Sequence, residues 1–272
     1  MAVQAPGSER VEPFVMRIAG LVVRVRPVHG LIRRLCRDYL LAPDDPAAQA
    51  PDLDASASAA DIALERSLSD VTSPAQPASS DAYLETLAVY RKVAEWAPLV
   101  GVLLMHGAVI EYGGRAHLFT APSGTGKSTH IRLWAEFLGD AVQVVNGDKP
   151  LVRVGEGGAP ATVYGTPWCG KEGWQRNVSA PLASICFIER APRPGANSVR
   201  ALAPTEALDR VMRQVYLPQT PEAAARTLEL VDALLAKASL YLLTADMSED
   251  AVRTSFEALT GQGYEEARRR RG

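Results

Sequence analysis

The sequence is poor in cysteine, in long apolar runs and in net charge. Its three cysteines, Cys36, Cys169 and Cys186, are widely spaced without a C-x-x-C pair. This argues against disulfides and structural zinc and favours a reduced, cytoplasmic protein. Residues 1–10 are polar, unlike a signal peptide, and the apolar run at 97–110 is too short to span a membrane. A net charge of −2 predicts no general affinity for nucleic acid or anionic membranes.

Lysine is also scarce, with 5 lysines beside 24 arginines. Three of the five, Lys127, Lys149 and Lys171, lie in a glycine-rich stretch or within the 45 residues that follow it. A lysine where arginine is the usual cation suggests a need for a compact point charge. The chain has 272 residues and is 47% hydrophobic. That is enough for one large domain, or for a core domain with a smaller appendage.

The glycine-rich stretch at 119–129 reads Phe-Thr-Ala-Pro-Ser-Gly-Thr-Gly-Lys-Ser-Thr. Its glycines let backbone N–H groups close around phosphate oxygens, and the following helix directs its positive end at the same anion. Lys127 adds a cation for the outer phosphates, and the Ser128 hydroxyl suits Mg²⁺. Ala121 replaces the first glycine of the strict pattern, and the alternative is a chance glycine-rich turn. The predicted nucleotide-binding residues are Ser123, Gly124, Thr125, Gly126, Lys127, Ser128 and Thr129.

Phosphoryl transfer also needs a carboxylate that holds the metal or accepts a proton. Asp148 follows a predicted strand at 141–145, which we expect beside the phosphate-loop strand, and it is our candidate for both roles. An Asx turn before Pro150 explains the same local sequence equally well. His106 lies within the apolar run at 97–110, where a histidine is either a satisfied core residue or a catalytic one.

The segment 166–179 is a loop with unusual content. Trp168 and Trp174 in it are either packing anchors or a substrate platform, and we favour packing. Lys171 and Glu172 are either a surface pair or part of a substrate site. The predicted substrate-binding residues are Lys149, Lys171, Glu172 and Arg176.

The pattern of elements predicts an α/β protein with a small α+β extension at residues 1–80 and a catalytic domain at 81–272. In the extension we expect one strand or a bent pair at 14–26 and a helix at 28–41. Residues 42–80, rich in Ala, Pro and Ser, read as a linker with a short strand at 61–66.

In the second part, strands are predicted at 100–110, 116–120, 141–145, 151–154, 162–164, 182–189 and 240–244. Helices are predicted at 81–96, 127–138, 204–216 and 221–238. A last helix ends near residue 259 and is capped by Ser248. The tail at 268–271 is basic and expected to be solvated.

Three segments together resemble the catalytic domain of HPr kinase/phosphorylase, which is similar to the nucleotide-binding part of phosphoenolpyruvate carboxykinase. They are 106–109 (His-Gly-Ala-Val), 121–129 and 147–148 (Gly-Asp). The stretches 164–172 and 177–182 look closer to HPr-kinase-like serine kinases found with lasso and other ribosomal peptides. The resemblance implies that Lys127 contacts the β/γ phosphates and that Ser128 and Asp148 bind the metal. It also implies that Asp148 is the catalytic base and that His106 assists near the transferred phosphoryl group. Gly147 stands where the family has a second aspartate, which makes a reverse phosphorylase reaction doubtful.

The resemblance implies a mixed twisted sheet of the P-loop type, ATP and Mg²⁺ as cofactors, and transfer to a serine of a peptide or small protein. A kinase of a small metabolite would share every residue named here. A non-catalytic ATP-sensing module would need the phosphate loop without Asp148. The acceptor is not named by the sequence, and a homo-oligomer is left open.

Overall fold

A computed structural model describes residues 11–72 and 79–270. The chain divides into two compact units, of which the first ends at Val93 and the second begins at Ala94. The strands of the first unit are β1 (Phe14–Ile18), β2 (Leu21–Val25) and β3 (Leu53–Asp54). Its helices are α1 (Gly30–Leu35) and α2 (Ala59–Thr72), followed by most of α3 (Asp81–Trp96), which confirms the predicted helix at 81–96.

The first unit is built on a three-stranded sheet in which β2 pairs antiparallel with β1 and parallel with β3. Ala19 and Gly20, both at positive φ, form the turn that makes 14–26 a bent pair. The buried Glu85 carboxylate on α3 accepts hydrogen bonds from the backbone N–H groups of Val28 and His29. It thereby satisfies donors just before α1, which is shorter than the helix predicted at 28–41.

The expected short strand at 61–66 is wrong, because these residues belong to α2. Ser58 and Asp61 bond each other at its start, since Ser58 N donates to Asp61 Oδ2 and Asp61 N to Ser58 Oγ. This reciprocal pattern is a capping box and marks the start of a helix. Ile62 and Glu65, three residues apart, then form the buried face of the helix.

The second unit contains a nine-stranded mixed sheet. Its strands are β4 (Val102–Leu104), β5 (Ala108–Tyr112), β6 (Arg115–Thr120), β7 (Val142–Asn146), β8 (Leu151–Arg153), β9 (Thr162–Tyr164), β10 (Ser179–Arg190), β11 (Ser198–Ala201) and β12 (Ser239–Ala245). The strand order is β4-β8-β9-β10-β6-β5-β7, with β12 also beside β10 and β11 beside β12. Only β10 makes parallel pairs, with β6 and with β12, among the described strands of this sheet.

Helices cover both faces of this sheet. They are α4 (Lys127–Leu138), α5 (Pro204–Met212), α6 (Pro221–Lys237), α7 (Glu249–Thr260) and α8 (Tyr264–Arg269). Residues of β6 alternate between two apolar clusters: Leu118 packs with residues of α5 and α6, and Phe119 with residues of α4, α7 and α8. This alternation is expected of a strand buried on both faces.

Two predictions about the sheet are wrong, and both concern the site. The run at 100–110 is two strands, because β4 pairs with β8 whereas β5 pairs with β6 and β7. The interruption between the two strands includes Gly107, where an added Cβ atom would lie 3.0 Å from the Phe119 carbonyl oxygen. The strand before Asp148, β7, is separated from β6 by β5.

The C-terminal region confirms the helix capped by Ser248, whose Oγ accepts from Ala251 N at 3.3 Å. It also contains two unpredicted elements, β11 and α8. The helix α8 is anchored by Tyr264, which is fully buried. Residues 268–270 of the basic tail are exposed as expected, and residue 271 lies outside the described residues. In the described ranges no helix combines the length and the apolar character needed to cross a membrane.

Candidate active site

The glycine-rich loop joins β6 to α4, which is the predicted order of strand, loop and helix. Gly124 (φ 76°) and Gly126 (φ 120°) take backbone conformations that residues with a Cβ rarely adopt. Lys127 begins α4 and is only 7% exposed. Its Nζ donates to the carbonyl oxygen of Ala121 at 2.8 Å, so the ammonium group lies inside the curve of the loop.

A turn after β7 is organised by Asn146, whose side chain is fully buried. Its Oδ1 accepts from the backbone N–H groups of Asp148 and Lys149 at 2.9 and 2.8 Å. Its Nδ2 donates to the carbonyl oxygen and the hydroxyl of Thr166, both at 3.1 Å. Asn146 therefore makes the Asx turn that we considered for Asp148, and the Asp148 carboxylate remains available for other contacts.

The Asp148 carboxylate lies between two basic side chains. Its Oδ2 accepts from Lys149 Nζ at 2.8 Å, and its Oδ1 lies 3.5 Å from His106 Nε2. Its backbone oxygen accepts from Gly107 N at 2.8 Å, so the turn after β7 is tied to the break between β4 and β5. The sheet thus places Asp148 beside His106, although β5 separates β7 from β6.

His106 is held at three atoms. Its backbone N donates to Gln214 O at 2.7 Å, and its backbone O accepts from Thr120 Oγ1 at 2.7 Å. Its Nδ1 lies 2.9 Å from Gln214 Oε1, within hydrogen-bond distance, and its Nε2 faces Asp148. With 32% of its side chain exposed, His106 is not a fully buried core histidine, and its catalytic role stays a prediction.

In this region the pKa values of the His106 imidazole and of the Lys127 ammonium group are both lowered. Desolvation lowers the pKa of His106, and the positive charge of Lys127 lowers it further, against the opposing effects of Gln214 and Asp148. Desolvation also lowers the pKa of Lys127, although the charge of Asp148 opposes this. At neutral pH, His106 is therefore a proton acceptor.

Gly147 is required by the close approach of the loop that follows β9. A Cβ atom at this position would lie 2.8 Å from the carbonyl oxygen of Cys169, a distance that real Cβ atoms do not show. Gly147 N also donates to Trp174 O at 3.0 Å. The same loop approaches Asp148 at Gly170, whose added Cβ would lie 3.0 Å from the Cβ of Asp148. Glycine at 147 is thus what lets the loop close over the turn.

A cavity of about 470 Å³, which we call the central cavity, brings most of the predicted residues together. The predicted residues that line it are His106, Ser123, Gly124, Gly126, Lys127, Ser128, Thr129, Asp148, Lys171 and Glu172. Gly147, Cys169 and Gly170 complete the lining. The glycine-rich loop forms one wall, and the turn and loop carrying the candidate base form the other.

Three predicted residues do not line the central cavity. Thr125 lies on the outer side of the loop, where its hydroxyl donates to Pro122 O at 2.8 Å. Lys149 reaches the site only through its bond to Asp148. Arg176 lies apart and donates to Gln143 Oε1 at 2.7 Å beside a separate cavity.

The two tryptophans of the loop pack, as we favoured. Trp168 is 5% exposed, and Trp174 packs against the apolar cluster that contains Phe119.

The sequence did not single out Asn146 and Gln214 as functional. An asparagine immediately after a strand and two residues before the candidate aspartate was a usable signal for the Asx turn. Gln214 carries no such signal, because it is 108 residues from His106 and follows α5.

The donors of the central cavity fit Mg²⁺ held jointly with nucleotide phosphates. Ser128 and Asp148 supply one hydroxyl and one carboxylate, which are the oxygen donors that Mg²⁺ prefers. Within residues 11–72 and 79–270 no group of three His, Cys, Asp or Glu side chains could hold a metal by itself. Mg²⁺ commonly binds through one or two carboxylates plus substrate phosphates, so a complete protein cage is not needed.

Comparison with known proteins finds similarity among solved structures. No protein-family profile matches the chain, and no curated protein does. Among solved structures, the HPr(Ser) kinase/phosphatase from Coxiella burnetii is similar over 49% of this chain and 88% of its own, with 12% identity and a TM-score of 0.25. A TM-score this low does not establish a shared activity.

Proposed function

We propose that this protein is an ATP-dependent kinase that transfers the γ-phosphoryl group to a hydroxyl. The observation that supports this most is the central cavity, where Lys127 and Ser128 of the glycine-rich loop face Asp148 and His106. One wall has the groups that bind phosphates, and the other has the acceptors for a hydroxyl proton. An ATP sensor would need only the first wall.

In this proposal Asp148 has two tasks, and each other side chain has one. Lys127 stabilises charge on the outer phosphates, while Ser128 and Asp148 hold Mg²⁺, which neutralises phosphate charge when bound. The β–γ phosphoanhydride bond breaks, the acceptor oxygen bonds to phosphorus, the hydroxyl proton passes to Asp148, and ADP leaves. The neutral His106 accepts a hydrogen bond or shares that proton, because its Nε2 lies 3.5 Å from Asp148 Oδ1.

The acceptor class follows from the sequence resemblance alone. We propose a serine of a peptide or small protein, as in HPr-kinase-like serine kinases, with Lys171 and Glu172 at the rim of the central cavity as its first contacts. These two exposed side chains offer one charge of each sign to a peptide.

The test is Asp148→Asn, which keeps the size of the side chain and removes its charge. We expect MgATP to bind still and phosphopeptide formation, followed by mass spectrometry, to fall by about 10²–10⁴-fold, the usual contribution of a general base. If Asp148 acts mainly on the metal, the Mg²⁺ dependence of nucleotide binding weakens as well.

The matched control is Asp140→Asn, the same change at an exposed residue outside the central cavity, and it should retain full activity. Full transfer by Asp148→Asn would refute this mechanism and shift attention to Glu172. MgATP binding by the wild-type protein without transfer to peptides, free serine or sugars would instead favour a sensor.

A further inference from the structure

A second cavity of about 450 Å³, which we call the lateral cavity, adjoins the central one. One wall is the first turns of α4 at Thr129, His130 and Leu133. The opposite walls are the turn at 190–194 after β10 and the turn at 245–247 after β12. The two cavities share Gly124, Gly126 and Thr129. A ligand with its phosphates on the loop can therefore extend past Thr129 into the lateral cavity without leaving the protein surface.

The lining of the lateral cavity suits a flat, weakly polar ring. Its floor is apolar and buried at Leu133, Ile188 and Ala245. Arg190 and Arg193 stand at its rim, where a guanidinium can stack on an aromatic face. Its volume lies within the range of about 300–1,000 Å³ that is typical of small-molecule sites.

The turn that closes the cavity is held by hydrogen bonds within the protein. Ala191 N donates to Ala245 O at 2.9 Å, and Gly195 N donates to Asp246 Oδ2 at 2.7 Å. Asp246 N in turn donates to Asn197 Oδ1 at 2.8 Å. The ends of β10 and β12 are thus fixed against each other, and a ligand entering here would not have to order the wall.

One buried polar atom of this wall lacks a partner. His130 is 3% exposed, and its Nε2 lies 3.0 Å from Ser255 Oγ and 3.2 Å from Trp134 Nε1. Its Nδ1 has no hydrogen-bond partner among the described residues. Burial lowers the pKa of His130 to about 4, so the ring is neutral at neutral pH. This atom has almost no accessible surface, so the ring borders the lateral cavity as a neutral, largely apolar group.

We propose that the lateral cavity receives the nucleoside moiety of the nucleoside triphosphate whose phosphates lie on the glycine-rich loop. The inference rests on the proposed function and adds to it the place where the base and ribose bind. Thr129, in the first turn of α4, lines both cavities, and a helix N-terminus is where phosphates bind. The nucleoside attached to those phosphates can therefore enter the lateral cavity.

A larger cavity of about 710 Å³ on the other side of the loop, the α5 cavity, suits a nucleoside less well. It shares only Ser123 and Gly124 with the central cavity. Its rim carries ion pairs, among them Arg210 with Glu189 and Arg213 with Asp209 at 2.7 and 3.0 Å. Six charged residues line it, against three in the lateral cavity, so a base binding there would displace more hydrated charge.

The test compares MgATP with magnesium tripolyphosphate, which has the same phosphate chain and no nucleoside. Ala191→Trp fills the lateral cavity and keeps the backbone N–H bond to Ala245. We expect wild type to bind MgATP at least about tenfold more tightly than tripolyphosphate, equivalent to about 1.4 kcal/mol. Ala191→Trp should remove this preference and leave tripolyphosphate binding unchanged. Pro192→Trp, at an exposed lining residue, has the same expected result and serves if Ala191→Trp does not fold.

Two matched controls make the test specific. Ala196→Trp lies in the same turn but outside the lining, and Asp209→Trp fills the α5 cavity; both should keep the preference for MgATP. Loss of the preference in Asp209→Trp, or its survival in both variants of the lateral cavity, would overturn the inference while the kinase proposal stands. Failure of the folded wild-type protein to bind either compound would overturn both.

Discussion

Asn146→Ala is the substitution whose effect can be worked out most fully from the structure. The Asn146 side chain is fully buried and makes four hydrogen bonds, two to backbone N–H groups of the turn and two to Thr166. Each such bond contributes about 0.5–1.5 kcal/mol net, and donors left unpaired in a buried site cost more. The sum is about 2–6 kcal/mol, and water entering the turn should bring the observed loss to about 2–4 kcal/mol.

For a unit of this size that loss lowers the melting temperature by about 4–16 °C. Thermal melting and urea unfolding would measure it. Asn177→Ala, the same change at an exposed position in the neighbouring loop, should stay within about 0.5 kcal/mol of wild type. Transfer activity should fall in Asn146→Ala at temperatures where the protein is folded, because Asp148 loses its support. A loss below about 1 kcal/mol would refute the claim that Asn146 fixes the turn.

Two further predictions concern histidines. His106→Ala should lower kcat by about 10²-fold with a nearly unchanged melting temperature, because the ring is partly exposed and is proposed to accept a proton. A large fall in melting temperature with normal turnover would show instead that His106 is a structural residue. His117 and His130 are buried with pKa values of about 4, against 6.5 for an ordinary histidine. Protonation therefore favours the unfolded state, and stability that is complete above pH 6.5 should fall towards pH 4 by up to about 1.4 kcal/mol per pH unit for each ring. Urea titrations at a series of pH values would measure this, and stability that is constant from pH 6.5 to 5 would contradict it.

Local signals in the sequence were sufficient for the elements that carry their own pattern. The helix that begins at Lys127 and the helix capped by Ser248 appear as predicted, because a glycine turn or a cap fixes their first residues. The helix α2 was missed because its alanine-rich and serine-rich composition resembles a linker. Its capping box at Ser58 and Asp61 outweighs that composition.

Long-range pairing was not available from local signals. The apolar run at 100–110 has the composition of one buried strand, and only the separate partners of β4 and β5 show that it is two. The neighbours of β7 depend on β5 folding back beside it, which no spacing in the sequence specifies. The contact between His106 and Gln214 likewise arises from tertiary packing across 108 residues.

The break between β4 and β5 also shapes the candidate site. It places His106 beside Asp148 and lets Gly107 N donate to the Asp148 backbone oxygen. A second aspartate at 147 does not fit here, because its Cβ would meet the Cys169 carbonyl oxygen at 2.8 Å. The structure can therefore have either the loop closed over this turn or an aspartate at position 147, and this chain has the closed loop. The central cavity is lined by the carboxylates of Asp148 and Glu172 and by the ammonium groups of Lys127 and Lys171, and Lys149 bonds to Asp148 from outside the lining. The excess of positive charge suits an anionic phosphate chain on the loop.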